Sequence, residues 1–421
     1  MLEDQRDYGS FAIRGAWPVA LVGVLLIAQI LDGMDLNALA FVGAAVRDDL
    51  ALTRATFGAC IGAATLGTAV GAIMLGAIAD RVGRRKTLLM VVLLFGCGTL
   101  ITSQVSSAPE LVIMRGLTGV ALGGLLPISS ALLLEKVALS ARMTAVTIVC
   151  AGSAGGTMLA GFVSSSVVPH FGWRTMFIIG GLAPLVIAPL LLAIVPPDRP
   201  SGLGARSTKR GPVNQGEYDP SLFRGGAWRR TAILWAGMFF GAFPVFVLVG
   251  WLPSLIQAKG STLAQAAISS SLFSIGGAIG GVVAGRLADR FGFKVILPMA
   301  FAGAIATAML GILIGGPATA PIAGVAGFFV VGLLNLMGAL VGKVHPDAIR
   351  GLAIGASLAV MRVGAAVAPW AAGKLLDLGN GAGLLLGLCA AAGILSGLVF
   401  TAAGGLRSAD SARQTSESEG L

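Results

Sequence analysis

Five ionisable side chains interrupt otherwise apolar stretches of this chain: Asp32, Asp35, Arg115, Glu135 and Arg362. An ionisable group at the centre of a bilayer costs at least ~2.5 kcal/mol, so each is a functional candidate by default. Asp32 and Asp35 are three residues apart, a spacing that projects both from one face of a helix. Two carboxylates so placed repel, and the repulsion raises the proton affinity of one of them. In a partly dehydrated cavity such a pair can load and release a proton. Arginine suits the complementary task, because its guanidinium stays charged and grips a carboxylate through two parallel N–H donors. Asp32 and Asp35 are therefore the proton-coupling candidates, and Arg115 and Arg362 the candidates for binding an organic anion. A permanent packing bridge between Arg115 and one of the acids is the competing reading.

These residues need long apolar helices to hold them. Of 421 residues, 56% are hydrophobic and 11% charged, which excludes a soluble globular domain. A crossing takes roughly 20 apolar residues. Twelve runs qualify, near 17–46, 57–79, 87–106, 110–134, 142–166, 173–195, 230–252, 266–287, 294–315, 321–342, 350–372 and 381–402. Counted at ~1.5 Å per residue, the two acids lie roughly 22–27 Å along the first run, and Arg115 lies about 8 Å inside the far end of the fourth. Acids and guanidinium can thus share a depth. Arg362, about 18 Å from Arg350, falls near the midplane.

The net charge of +10 has a topological meaning. Of 29 Lys and Arg, 22 fall in segments that share a side with both termini, so the positive-inside rule predicts cytoplasmic termini and an even number of crossings. Nothing in that distribution calls for nucleic acid. Cys60, Cys97, Cys150 and Cys389 fall in predicted spans without C-x-x-C spacing and read as packing residues. His170 and His345 are expected in loops, and Gly338–Lys343 has the wrong spacing for a phosphate loop. No metal, cofactor or enzymatic activity is expected. The first run is too long for a cleavable signal peptide.

The chain also repeats itself. Gly76-Ala-Ile-Ala-Asp80-Arg81-Val-Gly83-Arg84 returns as Gly285-Arg-Leu-Ala-Asp289-Arg290-Phe-Gly292-Phe293, at a constant offset of 209 residues. Half the chain is therefore one unit of about six helices, present twice. The expected domains are an N-terminus (1–16), a first bundle (17–195), a flexible linker (196–229), a second bundle (230–402) and a disordered tail (403–421). Glycine is frequent at four-residue spacing, as at Gly67 and Gly71, or Gly119 and Gly123, which lets helix backbones meet closely in lipid. Pro127, Pro244, Pro253 and Pro369 predict kinks.

The repeated loop resembles the signature between the second and third helices of the major facilitator superfamily. The resemblance implies an all-α fold of 12 transmembrane helices in two pseudo-symmetric six-helix bundles. Gly76, Asp80, Arg81, Gly83, Arg84, Asp289 and Arg290, with Glu135 and Arg350, are then the expected gating residues. Asp32-Gly33-Met34-Asp35 is similar to the D-G-x-D motif of the aromatic acid:proton symporter family. The fourth span from Arg115 through Gly124 and Pro127, and the eleventh with Met361-Arg362-Val363-Gly364 and Pro369, extend the likeness. Met34, Ile128 and Met361 depart from the family pattern. The family implies functional roles for Asp32, Asp35, Asp80, Arg115, Arg350 and Arg362, and proton-coupled import of a benzoate-like anion through the bacterial inner membrane by a monomer. Trp251 and Trp370 are candidates to stack on a substrate ring, and Asn335 is a candidate polar contact. The alternative is a proton-driven antiporter exporting a drug or metabolite, a reading supported by the glycines of Gly152-Ser-Ala-Gly155-Gly156.

Overall fold

The computed structural model describes residues 16–139, 141–197, 227–344, 350–379 and 381–419, with side chains placed except at 16–17, 227, 230, 342–344, 350–352 and 403–419. Among the described residues there are helices and no strands. The first half contains α1 (Ala16–Phe41), α2 (Gly43–Asp49), α3 (Arg54–Val82), α4 (Arg84–Thr102), α5 (Ala108–Gly123), α6 (Leu125–Lys136), α7 (Arg142–Phe171) and α8 (Arg174–Ile194). The second contains α9 (Ala227–Gln257), α10 (Leu263–Phe291), a 3-10 turn (Gly292–Val295), α11 (Ile296–Leu313), α12 (Thr319–Val344), α13 (Arg350–Asp377) and α14 (Ala382–Glu419).

Among the described residues, eleven stretches are long and apolar enough to cross a membrane. One of them, Leu263–Leu313, has 51 residues and is interrupted at Gly292–Val295. At 1.5 Å per residue it measures about 76 Å, enough for two crossings of a ~30 Å hydrocarbon layer. Counted so, the described residues hold twelve crossings. The chain is a multi-pass membrane protein.

Two compact units are present: Met1–Leu52 with Ala63–Ala205, and Thr53–Gly62 with Arg206–Leu421. Each pairs its helices in the same way. In unit 1 the first span packs on the fifth (α1 on α7) and the third on the sixth (α4 on α8), and the matching pairs in unit 2 are α9 on α13 and α11 on α14. The second and fourth spans meet through glycines. A Cβ at Gly71 would fall inside the carbonyl of Val120, and one at Gly123 inside that of Thr68. In unit 2, Gly280 and Gly327 meet the backbone of Phe328 and Phe273 in the same way, joining α10 to α12. Such close approach leaves van der Waals contact to hold helices that lipid cannot drive together by the hydrophobic effect.

Several expectations need correction. The first run does not continue to residue 46; the chain bends at Val42 and Gly43–Asp49 forms a separate short helix. The fourth span is divided at Gly124, because Pro127 has no N–H for the carbonyl of Gly123 and its ring crowds that oxygen. Pro244, Pro253 and Pro369, by contrast, lie within continuous helices. The tail is not without structure: α14 runs to Glu419, and no Gly or Pro stands between Leu406 and Glu419 to stop it. His170 closes α7 rather than sitting in a loop. Cys97 and Cys150 are exposed, not packed. Most of the 196–229 linker, all but one residue of the N-terminal segment, and His345 lie outside the described residues.

Candidate functional site

Asp35 and Arg115 of unit 1 come together. α1 carries Asp35, α4 carries Thr99, α5 carries Arg115 and α8 carries Phe177. Arg115 Nη1 donates to Asp35 Oδ2 at 2.9 Å, and Nη2 donates to the Asp35 backbone carbonyl at 3.1 Å. Thr99 Oγ1 donates to Asp35 Oδ1 at 2.9 Å. The Phe177 ring lies 5.9 Å from the guanidinium carbon. Asp35 and Arg115 are each 1% exposed. Two opposite charges taken so fully out of water survive only as a pair with further hydrogen bonds, which these contacts supply.

Asp32 is also buried, at 6% exposure, and accepts a hydrogen bond from Gln29 Nε2 one turn earlier. Asn37 donates to the Gly33 carbonyl at 2.7 Å and to Thr157 of α7 at 3.1 Å. Glycine makes this level of α1 possible. A Cβ at Gly33 would fall inside the Ser153 carbonyl, and one at Gly156 inside that of Ile30. Gly152, Gly155 and Gly156 of α7 thus pack on α1.

A second cluster forms at the turn between α3 and α4. Arg84 reaches Glu135 of α6 at 2.6 Å and Asp80 at 3.8 Å, so three of the expected gating residues form one charged group. Gly83 opens α4 at φ +109° and Gly292 follows α10 at φ +59°. That left-handed backbone explains the repeated glycine, since a Cβ is disfavoured there. The other repeated glycine behaves differently: a Cβ at Gly76 or Gly285 would meet nothing within 4 Å. The second copy also lacks a counterpart of Arg84. Phe293 stands there and stacks on Phe400 with centroids 6.1 Å apart. Arg81, Asp289 and Arg290 are exposed, and Arg290 lies over the Phe291 ring at 5.2 Å. The side chain of Arg350 is outside those described.

In unit 2, Arg362 is half-buried in α13 and already has interactions of its own. Asn335 is exposed on α12 beside Gly281 of α10. Trp251 does not offer its ring: it is 1% exposed, its Nε1 donates to the Pro369 carbonyl at 3.0 Å, and Phe57 meets it edge-on at 5.4 Å. It is a packing residue. Trp370 is 47% exposed.

Some polar contacts had no place in the sequence reading. Gln29 and Thr99 contact the acids, Asn37 and Thr157 join α1 to α7 nearby in sequence, and a scan for amides within spans finds Gln29 and Asn37. At the start of α3, Asp377 of α13 accepts from the backbone N–H groups of Arg54 and Ala55 at 3.0 and 2.8 Å. Arg54 returns a hydrogen bond to the Leu376 carbonyl at 2.7 Å. At the end of α2, Asp49 accepts from Arg174 at 2.6 Å and Trp173 at 3.1 Å. Those two donors, Arg174 first, hold its carboxyl below the usual carboxylate range.

Residues 25–335 match the sequence profile of the Major Facilitator Superfamily. The chain belongs to that superfamily. It is therefore a transporter-family protein and not an enzyme. It is 30% identical over 396 residues to the 4-hydroxybenzoate transporter PcaK of Pseudomonas aeruginosa, covering 86% of this chain and 87% of that one. It is 30% identical over 391 residues to the gallate transporter of Pseudomonas putida, with 87% and 86% covered. Among solved structures, the nucleoside transporter NupG (D323A mutant) superposes with a TM-score of 0.73 at 15% identity, covering 91% of this chain and 99% of that one. The last likeness establishes the superfamily fold.

Proposed function

We propose that this chain imports a small aromatic carboxylate together with protons, by alternating access of its two bundles, across a bacterial inner membrane with both termini in the cytoplasm. The carrying observation is the first span, where Asp32 and Asp35 are buried one turn apart and Asp35 is paired with Arg115. Relatives named for hydroxylated benzoates support the substrate class. Arg115 is committed to Asp35 on both sides of its guanidinium fork, so the anion is assigned to Arg362 of α13, which is half-buried. A guanidinium there can exchange its present contacts for a bidentate grip on a carboxylate. Asn335 and Trp370 supply secondary contacts. The Asp80–Arg84–Glu135 group is a latch that holds one conformation and opens in the other. The carrier acts as a monomer.

Uptake of radiolabelled 4-hydroxybenzoate by cells expressing the chain tests the reading. Accumulation above the external concentration, abolished by a protonophore, is expected. Expulsion of the label when the exterior is acidified would contradict it.

A further inference from the structure

The second copy of the repeated turn keeps basic residues and loses the acid that answers them in the first. At the offset of 209 residues, Phe293 stands in place of Arg84 and Val344 in place of Glu135, while Arg286 stands where the first copy has Ala77. Arg286 and Arg290 are four residues apart in α10, so both project from one face of the helix. Both are exposed, as is Lys294 in the 3-10 turn that follows. Among the described residues none of these three cations has an ion pair or a hydrogen bond. Asp289, the acid between the two arginines in sequence, is exposed and has an interaction of its own. The Phe291 ring lies 5.2 Å from the Arg290 guanidinium carbon. Stacking of that kind uses the flat face of a guanidinium and leaves the N–H donors at its edge for an anion.

The face that carries the arginines continues into apolar surface. Ile268, Ile279 and Val282 are exposed on α10 and precede Arg286 by 18, 7 and 4 residues, all close to whole helical turns. From Ile268 to Arg286 the stripe rises about 27 Å, near the ~30 Å thickness of the hydrocarbon layer. Acyl chains laid along the stripe would bring their headgroup to the arginines. We propose that Arg286 and Arg290, with Lys294, hold the headgroup phosphate of an anionic phospholipid whose chains lie against Ile268, Ile279 and Val282. Two guanidinium forks one turn apart suit a phosphate, which accepts from each in a bidentate way. A zwitterionic lipid brings a cation of its own toward the three already there, and a second copy of this chain would bring three more. A soluble phosphate offers the same oxygens but nothing to cover the apolar stripe. The site is independent of the transport reading above.

Native mass spectrometry of the purified full chain, released from detergent that contains equal amounts of phosphatidylglycerol and phosphatidylcholine, tests this directly. Wild type should retain phosphatidylglycerol in clear preference. Arg286→Gln and Arg290→Gln should each weaken that retention by about fivefold, and the double variant by roughly 25-fold, since each basic residue near an anionic lipid contributes about that much. Glutamine keeps the helix propensity of an exposed arginine, and either single variant carries the test if the double one is poorly produced. Lys374→Gln, an exposed cation in the last turn of α13, should leave retention unchanged. Added inorganic phosphate should not displace the lipid. Equal retention of the two lipids by wild type, or unweakened phosphatidylglycerol binding in both single variants, would overturn the proposal. So would an equal loss in Lys374→Gln, which would show a general effect of charge, or displacement by inorganic phosphate, which would show a site for a soluble anion.

Discussion

Arg115 and Asp35 form a pair whose members are nearly inaccessible, so the cost of deleting one is set by the charge left behind. Arg115→Ala or Asp35→Ala should each destabilise the protein by about 3–5 kcal/mol, and the double substitution by clearly less than the sum. Thermal unfolding in detergent measures this, and strict additivity would show that the two charges do not act as a unit. Arg362→Lys should weaken binding of the aromatic carboxylate by roughly tenfold through loss of the planar fork, with Arg362→Ala weaker still. Calorimetric titration of purified protein reads both, and wild-type affinity in Arg362→Ala would move the anion site elsewhere. The acids and arginines were legible in the sequence because a charge in an apolar run stands out. Their partners were not. Thr99 and Gln29 are cheap enough in a span to pass as ordinary, and which residue faces Asp35 depends on helix rotation that spacing alone does not fix. The same limit explains Trp251, whose indole was expected on a ligand and is spent on the Pro369 carbonyl.

At the scale of elements, two features carry distinct consequences. The helix crossings of unit 1 depend on backbone contact at glycine, so Gly71→Val should separate α3 from α5 and sharply reduce folded yield, whereas Gly76→Ala should be tolerated for folding because nothing lies within 4 Å. Size-exclusion profiles of the two variants decide it; equal yields would deny the crossing its role. The Asp49–Arg174–Trp173 group that ties α2 to the start of α8 has a pH signature. Because the Asp49 carboxyl is held below its usual value, its stabilisation is complete above the unfolded value of about 4 and is lost as pH falls through the lower folded value. The difference in unfolding temperature between wild type and Asp49→Asn should therefore be constant from pH 8 to 5 and close only in stronger acid. A gap that closed near neutrality would mean another group is responsible. Span existence was readable from hydropathy, and the repeat from a constant offset; the break at Gly124 needed the missing N–H of Pro127 placed against its own turn, and the helical tail needed the absence of breakers weighed above polarity.

For the whole molecule, two copies of one six-helix plan give each bundle the same internal pairing, yet the copies differ in chemistry. Unit 1 holds the buried acids and an ionic turn at Arg84, while unit 2 replaces that arginine with Phe293 packed on Phe400. Asp80→Asn should therefore impair transport far more than Asp289→Asn, with both inserted normally in the membrane. The distribution of Lys and Arg predicts that reporters placed near Gly211 and after Leu421 both read as cytoplasmic. The most direct measurement uses wild-type protein reconstituted in liposomes with a pH-sensitive dye inside and the membrane potential clamped to zero. Addition of 4-hydroxybenzoate outside, with no initial pH difference, should acidify the interior as anion and proton enter together. An interior that turns alkaline, or one that takes up the anion with no change in pH, would contradict proton-coupled import.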